Sequence, residues 1–139
     1  YLVAYKNSDK KNIRTYIISQ LSDIENTDKR FSPGKFDIKK YAMESFGMYH
    51  SENGPYDVEW LADADVADAV LRYTFHPTQQ FIKNPNGTVT IKMRADGFKE
   101  MSWYLFQWSG KIKPIAPAEL VSTYNGILKD IILNNQSGK

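Results

Sequence analysis

The chain has 139 residues, no cysteine and two histidines, and its 18 basic and 16 acidic side chains leave a formal net charge of +2. That length suits one domain, or a small domain with a fragment of another, and 42% hydrophobic residues are enough for a folded core. The lack of cysteine excludes disulfides, thiolate metal sites and cysteine nucleophiles. No apolar run approaches the ~20 residues of a membrane span, and no signal peptide is recognisable at Tyr1. We therefore expect a piece of a longer intracellular protein, cytoplasmic and without a membrane partner.

The N-terminal segment is basic and predicts the strands of an incomplete sheet. Residues 1–40 carry nine basic and five acidic side chains, which fits an anionic partner as well as an ordinary solvated surface. Tyr1–Tyr5 is short and apolar, Lys6–Asn12 is a polar turn, and Ile13–Ile18 has the pattern of a second strand. Ser22–Glu25 is a candidate continuation of the sheet. Because two or three uncovered strands are only marginally stable in water, part of this sheet is expected to be missing.

A connecting segment, residues 32–55, is predicted to contain one short helix. Asp37 is a preferred N-cap residue, and Gly47 stands where helices commonly end in the left-handed conformation. Residues 51–55 then form a polar connector that precedes a compact unit. Five side chains recur at helical spacing between the two proposed helix ends: Ile38, Tyr41, Ala42, Ser45 and Phe46.

Residues 56–139 predict a β-α-β-β-α-β order with a terminal helix, which is the split βαβ arrangement of a ferredoxin-like sandwich. Asn84–Gly87 predicts a hairpin turn, and Pro114 places the last strand at a sheet edge or at a bulge. The fold class is therefore α+β. The expected elements are a strand at 56–62, a helix capped by Asp63 and reaching Tyr73, strands at 79–83 and 88–94, a helix at 97–108, a strand at 111–115 and a helix at 118–133.

The alternation of residues 88–94 defines which face of this sheet meets the helices. Val89 and Ile91 are expected to point inward, and Thr90 and Lys92 outward. Burial of Thr90 and Lys92 would show that the predicted register is wrong. Together with the apolar positions of neighbouring elements, the pattern predicts a core of Val58, Trp60, Val66, Val70, Val89, Ile91, Met101 and Leu105.

The N-terminal strands also resemble a known family. Tyr1–Tyr5 followed by Arg14–Leu21 resembles the second half of a WYL domain, in which a Trp-Tyr-Leu strand precedes a strand of the form Arg-x-Phe-x-x-x-Arg-Ile. The tryptophan of that motif and about half of the barrel would lie before Tyr1, and Gln20 stands where the family has its second arginine. Segments that resemble the C-terminal extension of the same family are Phe36–Ile38, Ser45–Tyr49, His76–Gln79, Trp108 and Lys111–Pro117.

This resemblance implies the ligand-sensing and dimerisation portion of a bacterial WYL-family transcriptional regulator. Residues 1–31 would be the last strands of a truncated Sm-like, SH3-type β-barrel, residues 32–55 a linker with its helix, and residues 56–139 a ferredoxin-like extension. A helix-turn-helix that precedes this segment would bind DNA, and the barrel would sense single-stranded nucleic acid or a nucleotide. The alternative is a purely structural dimerisation module with no ligand of its own.

Four residues map onto the ligand face of the WYL barrel: Tyr1, Arg14, Tyr16 and Gln20. A guanidinium pairs with phosphate in bidentate fashion and a phenol ring stacks on a base, so Arg14 and Tyr16 suit a single strand. Lys6, Lys10 and Lys11 in the adjoining turn would add an attraction that does not depend on sequence. The alternative reading is that all of these are ordinary strand and turn residues.

The histidines and an acidic run predict no catalytic centre, cofactor or metal, and so no enzyme. His76 precedes a proline at a helix-to-strand junction, which favours an imidazole bonded to backbone over a general base. His50 lies in a polar connector and is expected to be solvated. Five carboxylates lack the spacing and glycine of a calcium loop and are expected to cap helices or face solvent: Asp57, Glu59, Asp63, Asp65 and Asp68.

Four aromatic residues of one predicted helix exceed what a single helix face buries. Some of them should leave the core of the small domain, toward the barrel, the linker helix or a second subunit. A flexible neighbouring segment that covers them is the alternative. Trp103 and Phe106 are the predicted interface residues, and a homodimer is expected. The full set is Trp103, Tyr104, Phe106 and Trp108.

The truncated barrel predicts a partner for the N-terminal strands. Their backbone groups on one edge lack the usual neighbours, and an exposed apolar edge of that kind pairs readily with another chain. We expect a second copy of the molecule to complete these strands, or the linker helix around Ile38–Phe46 to cover them. Arg14 should stay at the surface in either case, since burying an unpaired guanidinium costs several kcal/mol.

Overall fold

The computed structural model shows a mixed α+β chain with two antiparallel sheets and a C-terminal helix, as predicted. The chain divides into two compact units, Tyr1–Asp37 and Ile38–Lys139, so the predicted helix of the connecting segment belongs to the second unit. Lys10 and Lys11, predicted to lie in the polar turn, are outside the described residues. The structure describes residues 1–6, 13–32, 34–51 and 53–136.

The first unit contains a two-stranded antiparallel sheet of β1 (Leu2–Tyr5) and β2 (Ile13–Tyr16). The second strand is two residues shorter than predicted. Its last residue pairs with Leu2, the first residue of β1, so the following residues have no partner strand in the described part of the unit. The chain turns there into a 3-10 helix at Ile18–Gln20, and Ser22–Glu25, a candidate strand, is irregular.

The second unit is built on a four-stranded antiparallel sheet with the order β4-β5-β3-β6. This order and the intervening helices give the split βαβ topology that the sequence predicts. β6 lies at a sheet edge, and its pairing with β3 is irregular beside Pro114, so both expectations for that proline are confirmed. The strands are β3 (Tyr56–Ala62), β4 (Gln80–Lys83), β5 (Val89–Ala95) and β6 (Ile112–Ala116).

In the described part of the chain four α-helices accompany this sheet, and the second of them is shorter than predicted. Its first turn is a 3-10 helix at Ala64–Val66, and the N–H of Tyr73 bonds the carbonyl of Val70 three residues back at 3.0 Å, which tightens the end. The helices are α1 (Ile38–Met43), α2 (Ala67–Val70), α3 (Phe98–Phe106) and α4 (Ala118–Gln136). None of the described helices is both long enough and apolar enough to cross a membrane.

The core lies on one face of the sheet, as predicted from the alternation of β5. Thr90 and Lys92 lie on the other face, and of the eight predicted core residues only Val66 is half-buried rather than buried. Trp60 is fully buried at the centre, with the ring of Phe46 edge-on at 5.5 Å between centroids. The other seven predicted residues that are buried are Val58, Trp60, Val70, Val89, Ile91, Met101 and Leu105.

Truncation of Ile91 to alanine should strongly destabilise the second unit. The side chain is fully buried on a central strand, so its loss leaves a cavity and should lower the free energy of unfolding by about 2–5 kcal/mol. Ile131→Ala on α4 removes the same atoms from a side chain that is 41% exposed and should cost less than about 1 kcal/mol. Urea denaturation of both variants measures the difference, and equal losses would contradict the assignment of the core.

Candidate functional site

Arg14 and Tyr16 share one face of the β1–β2 hairpin. The register pairs Arg14 with Ala4 and Tyr16 with Leu2, and alternate residues of a strand lie on the same face. Arg14 is exposed, as predicted, and Tyr16 is half-buried. The hairpin thus presents a cation beside an aromatic ring, which are the two groups expected for a single-stranded ligand.

The strand register does not place the other predicted ligand residues on the face of this pair. Tyr1 precedes β1, and its position alternates with Leu2, so the strand register does not align it with Arg14. Lys6 follows directly after β1 and is exposed. Gln20 lies in the 3-10 helix beyond β2, past the end of the strand predicted at Ile13–Ile18, so strand alternation does not align it with Arg14 either.

His76 is a buried structural residue in the loop between α2 and β4. Its Nδ1 accepts a hydrogen bond from the N–H of Thr78 at 3.3 Å and lies 2.9 Å from the Thr78 hydroxyl oxygen. Burial lowers the pKa of His76, and the backbone of Ser45 and Met43 acts in the opposite direction. The prediction of an imidazole bonded to backbone is confirmed.

Residues 44–51, here called the strap, are held to the rest of the second unit by Asp96. The carboxylate of Asp96 is 3% exposed and accepts hydrogen bonds from the N–H and the hydroxyl of Ser51. Its backbone pairs with the strap as well: the N–H of Phe46 bonds the Asp96 carbonyl at 2.9 Å, and the N–H of Asp96 bonds the Glu44 carbonyl at 2.8 Å. A charged side chain thus satisfies the backbone donors of an irregular segment.

Glu100, in the first turn of α3, fixes the middle of the strap. Its carboxylate accepts hydrogen bonds from the N–H of Met48 at 2.7 Å and from that of Tyr49 at 3.1 Å. Gly47 lies against it so closely that a Cβ there would overlap the Glu100 carboxylate. The prediction that Gly47 ends the helix in the left-handed conformation is wrong, since α1 ends at Met43 and the left-handed glycines lie elsewhere.

His50 follows the middle of the strap and is stacked rather than solvated. Its ring lies on that of Tyr41, with 3.6 Å between centroids and 19° between planes. Burial lowers the pKa of His50, although the carboxylates of Asp96, Glu44 and Glu100 act in the opposite direction. The expectation of a solvated His50 is therefore wrong, and sequence gave no sign of the stacking partner.

The two predicted interface aromatics differ in their surroundings. Phe106 lies against Tyr124 of α4, with 4.9 Å between ring centroids, so much of its surface is used within the unit. Trp103 is 49% exposed and meets the ring of Tyr49 edge-on at 6.3 Å. Two further aromatics that pack against the core are Tyr104 and Trp108.

The sheet face opposite the core carries two pairs of opposite charges, and we call it the charged face. Arg94 Nη1 of β5 lies 3.1 Å from Asp57 Oδ1 of β3, and Lys92 Nζ lies 2.6 Å from Glu59 Oε1 on the same two strands. A shallow groove of about 390 Å³ lies over these side chains. The sequence pattern predicts these two carboxylates in solvent or at helix caps. Charged residues alternate along two segments that were both expected in one sheet. This alternation was the signal that their side chains pair across the strands.

Comparison with protein families identifies the second unit. Residues 54–132 match the family model of the WCX domain, and they make up more than half of the chain and include the whole four-stranded sheet. The chain therefore belongs to the WCX domain family. This domain is the C-terminal extension associated with WYL domains, so the match supports a WYL-type fragment. No curated protein matches the chain. Within the described residues, no group of three histidine or carboxylate side chains is arranged to hold a metal ion.

Gly47→Ala should release the strap from α3. The added methyl group displaces the Glu100 carboxylate and leaves the N–H groups of Met48 and Tyr49 without their acceptor, which should lower the free energy of unfolding by about 1–3 kcal/mol. Gly126→Ala is the matched control, because its Cβ meets open space inside α4 and should stabilise the helix by up to about 1 kcal/mol. Urea denaturation distinguishes the two, and similar effects would contradict the close contact.

The second unit should lose stability as the pH falls below the ordinary histidine pKa of 6.5. The pKa of His76 is lower in the folded chain, so the unfolded chain binds more protons in that range, and the contribution present above pH 6.5 is lost as the pH falls toward the folded pKa. His50 acts in the same direction. Urea denaturation at several pH values from 7.5 downward measures the slope. His76→Asn combined with His50→Gln should flatten it, and an unchanged slope would contradict the assignment.

Proposed function

We propose that the chain is the effector-sensing and dimerising portion of a bacterial WYL-family transcriptional regulator. The observation that carries this proposal is the WCX match over residues 54–132, because that extension accompanies WYL domains. In this proposal β1 and β2 are the end of the WYL barrel. A helix-turn-helix elsewhere in the full-length protein binds DNA in the cytoplasm, and two copies of the chain associate.

The proposed effector is single-stranded nucleic acid or a nucleotide bound at Arg14 and Tyr16. The two residues are two positions apart on β2, so their side chains emerge about 7 Å from each other on the same face. One nucleotide can therefore place its phosphate on the guanidinium and its base against the phenol ring. Lys6, exposed at the end of β1, would add a contact to the backbone of the ligand.

A structural dimerisation module without a ligand is the second candidate function. It is favoured by the positions of Tyr1 and Gln20, which the strand register does not align with Arg14. A ligand face reduced to Arg14 and Tyr16 offers fewer contacts than the family pattern implies. The two candidates differ in whether this chain binds a single strand at all.

Arg14→Ala should weaken binding of a fluorescently labelled oligothymidine of about 12 nucleotides, a length within the usual site size of single-strand binders. We expect a roughly tenfold weaker affinity, and a plot of log affinity against log salt whose slope falls by about 0.7, the value for one single-strand phosphate contact. Fluorescence anisotropy over a salt series measures both quantities.

Arg30→Ala is the matched control for this experiment. It removes the same exposed charge from the first unit outside β1 and β2, and should change the affinity by less than about twofold. Equal losses of affinity in the two variants would show that the oligothymidine is bound by general electrostatic attraction and not at Arg14. No binding by the unmodified chain at low salt would favour the module without a ligand.

A further inference from the structure

We infer that Asn53 is a self-modifying residue, whose side-chain amide is lost as ammonia in a reaction promoted by Ser51 and Asp96. This inference goes beyond the proposed function and concerns the junction between the strap and β3. An asparagine followed by glycine forms a cyclic imide when the glycine nitrogen attacks the side-chain carbonyl carbon. Glycine favours the ring closure because it has no side chain to hinder it. The sequence contains three such pairs, which begin at Asn53, Asn86 and Asn125.

The nitrogen that attacks Asn53 lies at the end of a chain of two hydrogen bonds. The N–H of Gly54 donates to the Ser51 hydroxyl oxygen at 3.1 Å, and that hydroxyl donates to Asp96 Oδ2 at 2.9 Å. A hydroxyl oxygen can accept one proton while it releases its own, so Ser51 can pass a proton from Gly54 to the carboxylate. Both distances are within the reach that a general base needs. The two bonds therefore form a relay that provides a base for the attacking nitrogen.

Asp96 is held in position to act through Ser51. Its carboxylate is 3% exposed, and its other oxygen, Oδ1, accepts a hydrogen bond from the N–H of Gly97 at 2.7 Å. The carboxylate also lies so close to Gly54 that a Cβ on that glycine would overlap it. Ser51 is thus the residue that touches the reacting nitrogen, and Asp96 is a positioning residue that takes up the proton from Ser51.

The other two asparagine–glycine pairs have no such base beside the glycine nitrogen. After Asn86, the N–H of Gly87 donates to a backbone carbonyl of the same turn at 3.0 Å. Gly126 lies inside α4, where its N–H bonds a backbone carbonyl one turn earlier. A backbone carbonyl accepts a hydrogen bond but does not take up the proton, so neither nitrogen is activated. The comparison predicts that the reaction is fastest at Asn53 and slowest at Asn125, which the helix also holds away from the ring-closing conformation.

The reaction uses only the chain and water. The Gly54 nitrogen forms a bond to the side-chain carbonyl carbon of Asn53 as its proton passes to Ser51 and the hydroxyl proton passes to Asp96. The bond between that carbon and the side-chain nitrogen then breaks, and this nitrogen takes up a proton and leaves as ammonia. Water opens the imide on either side and gives aspartate or isoaspartate. In total an amide becomes a carboxyl group, one water is consumed and one ammonia is released.

The isoaspartate product is expected to loosen the strap. Its backbone runs through the former side-chain carbon, so one extra backbone atom separates residue 53 from Gly54. Gly54 lies against the Asp96 carboxylate and its N–H bonds Ser51, which is itself bonded to Asp96. The inserted atom therefore displaces groups that join the strap to Asp96. Since water does not restore the amide, the attachment of the strap changes slowly as the chain ages.

The test follows deamidation of the whole chain near neutral pH by peptide mapping with mass spectrometry, and Asn86 serves as the internal reference. In the unmodified chain Asn53 should react at least about tenfold faster than Asn86, since general base catalysis contributes roughly 10²–10⁴-fold. Ser51→Ala removes the hydroxyl and should lower the rate at Asn53 to that at Asn86. Ser51→Thr keeps a hydroxyl and should restore most of the rate.

The pH dependence distinguishes a proton relay from a purely structural effect of Ser51. From pH 7 upward the rate at Asn86 should rise in proportion to the hydroxide concentration. The rate at Asn53 should rise less steeply, because its base is part of the chain, and Ser51→Ala should make the two slopes equal. His50, whose charge would act on Asp96, has a pKa that burial lowers and stays neutral in this range.

Ser122→Ala is the matched control, because it removes an exposed serine hydroxyl on α4 and should leave both rates unchanged. Circular dichroism melting confirms that each variant is folded. Two results would overturn the inference: a reaction at Asn53 no faster than at Asn86 in the unmodified chain, or a rate at Asn53 that Ser51→Ala leaves unchanged or raises. The first would show that the bond from Gly54 to Ser51 protects the nitrogen. Neither result bears on effector binding at Arg14, which the oligothymidine experiment tests separately.

Discussion

The alternation of side chains along β3 and β5 is the constraint on which the second unit depends. Trp60 and Ile91 pair across the two strands and are fully buried, while their neighbours Glu59 and Lys92 pair on the opposite face. A slip of one residue would bury the charges and expose the core, so the register is strongly specified. The alternation that forms the core therefore also places the ion pairs between β3 and β5 on the opposite face.

A second organising feature is the use of carboxylates where a strand or helix would otherwise satisfy the backbone. Asp96 and Glu100 stand at the start of α3 and accept hydrogen bonds from N–H groups of the strap. Residues 38–51 thereby belong to the same compact unit as the sheet, although the WCX match begins only at residue 54. The strap is an extension of the domain on its N-terminal side rather than a free linker.

Local patterns were enough to predict the elements whose causes are local. The hairpin Asn84–Gly87, the alternation of residues 88–94 and the edge position of Pro114 each follow from side chains close in sequence. The failures have distant causes. β2 ends early because β1 supplies no further partner, and Gly47 is required by a carboxylate more than fifty residues away. The same limit applies to the site, since no local pattern predicted the 3-10 helix in which Gln20 lies.

The charged face and the site at Arg14 differ in whether their cations already have carboxylate partners. Lys92 and Arg94 have carboxylate partners on the neighbouring strand, so an anionic ligand would compete with them and face their negative charges. Arg14 forms no ion pair with any described residue and is exposed next to an aromatic ring. A phosphate would therefore meet a cation without a described carboxylate partner at Arg14, but cations beside carboxylates on the charged face. The uneven charge of the sequence, basic over residues 1–40, thus agrees with the proposal that the first unit binds an anion.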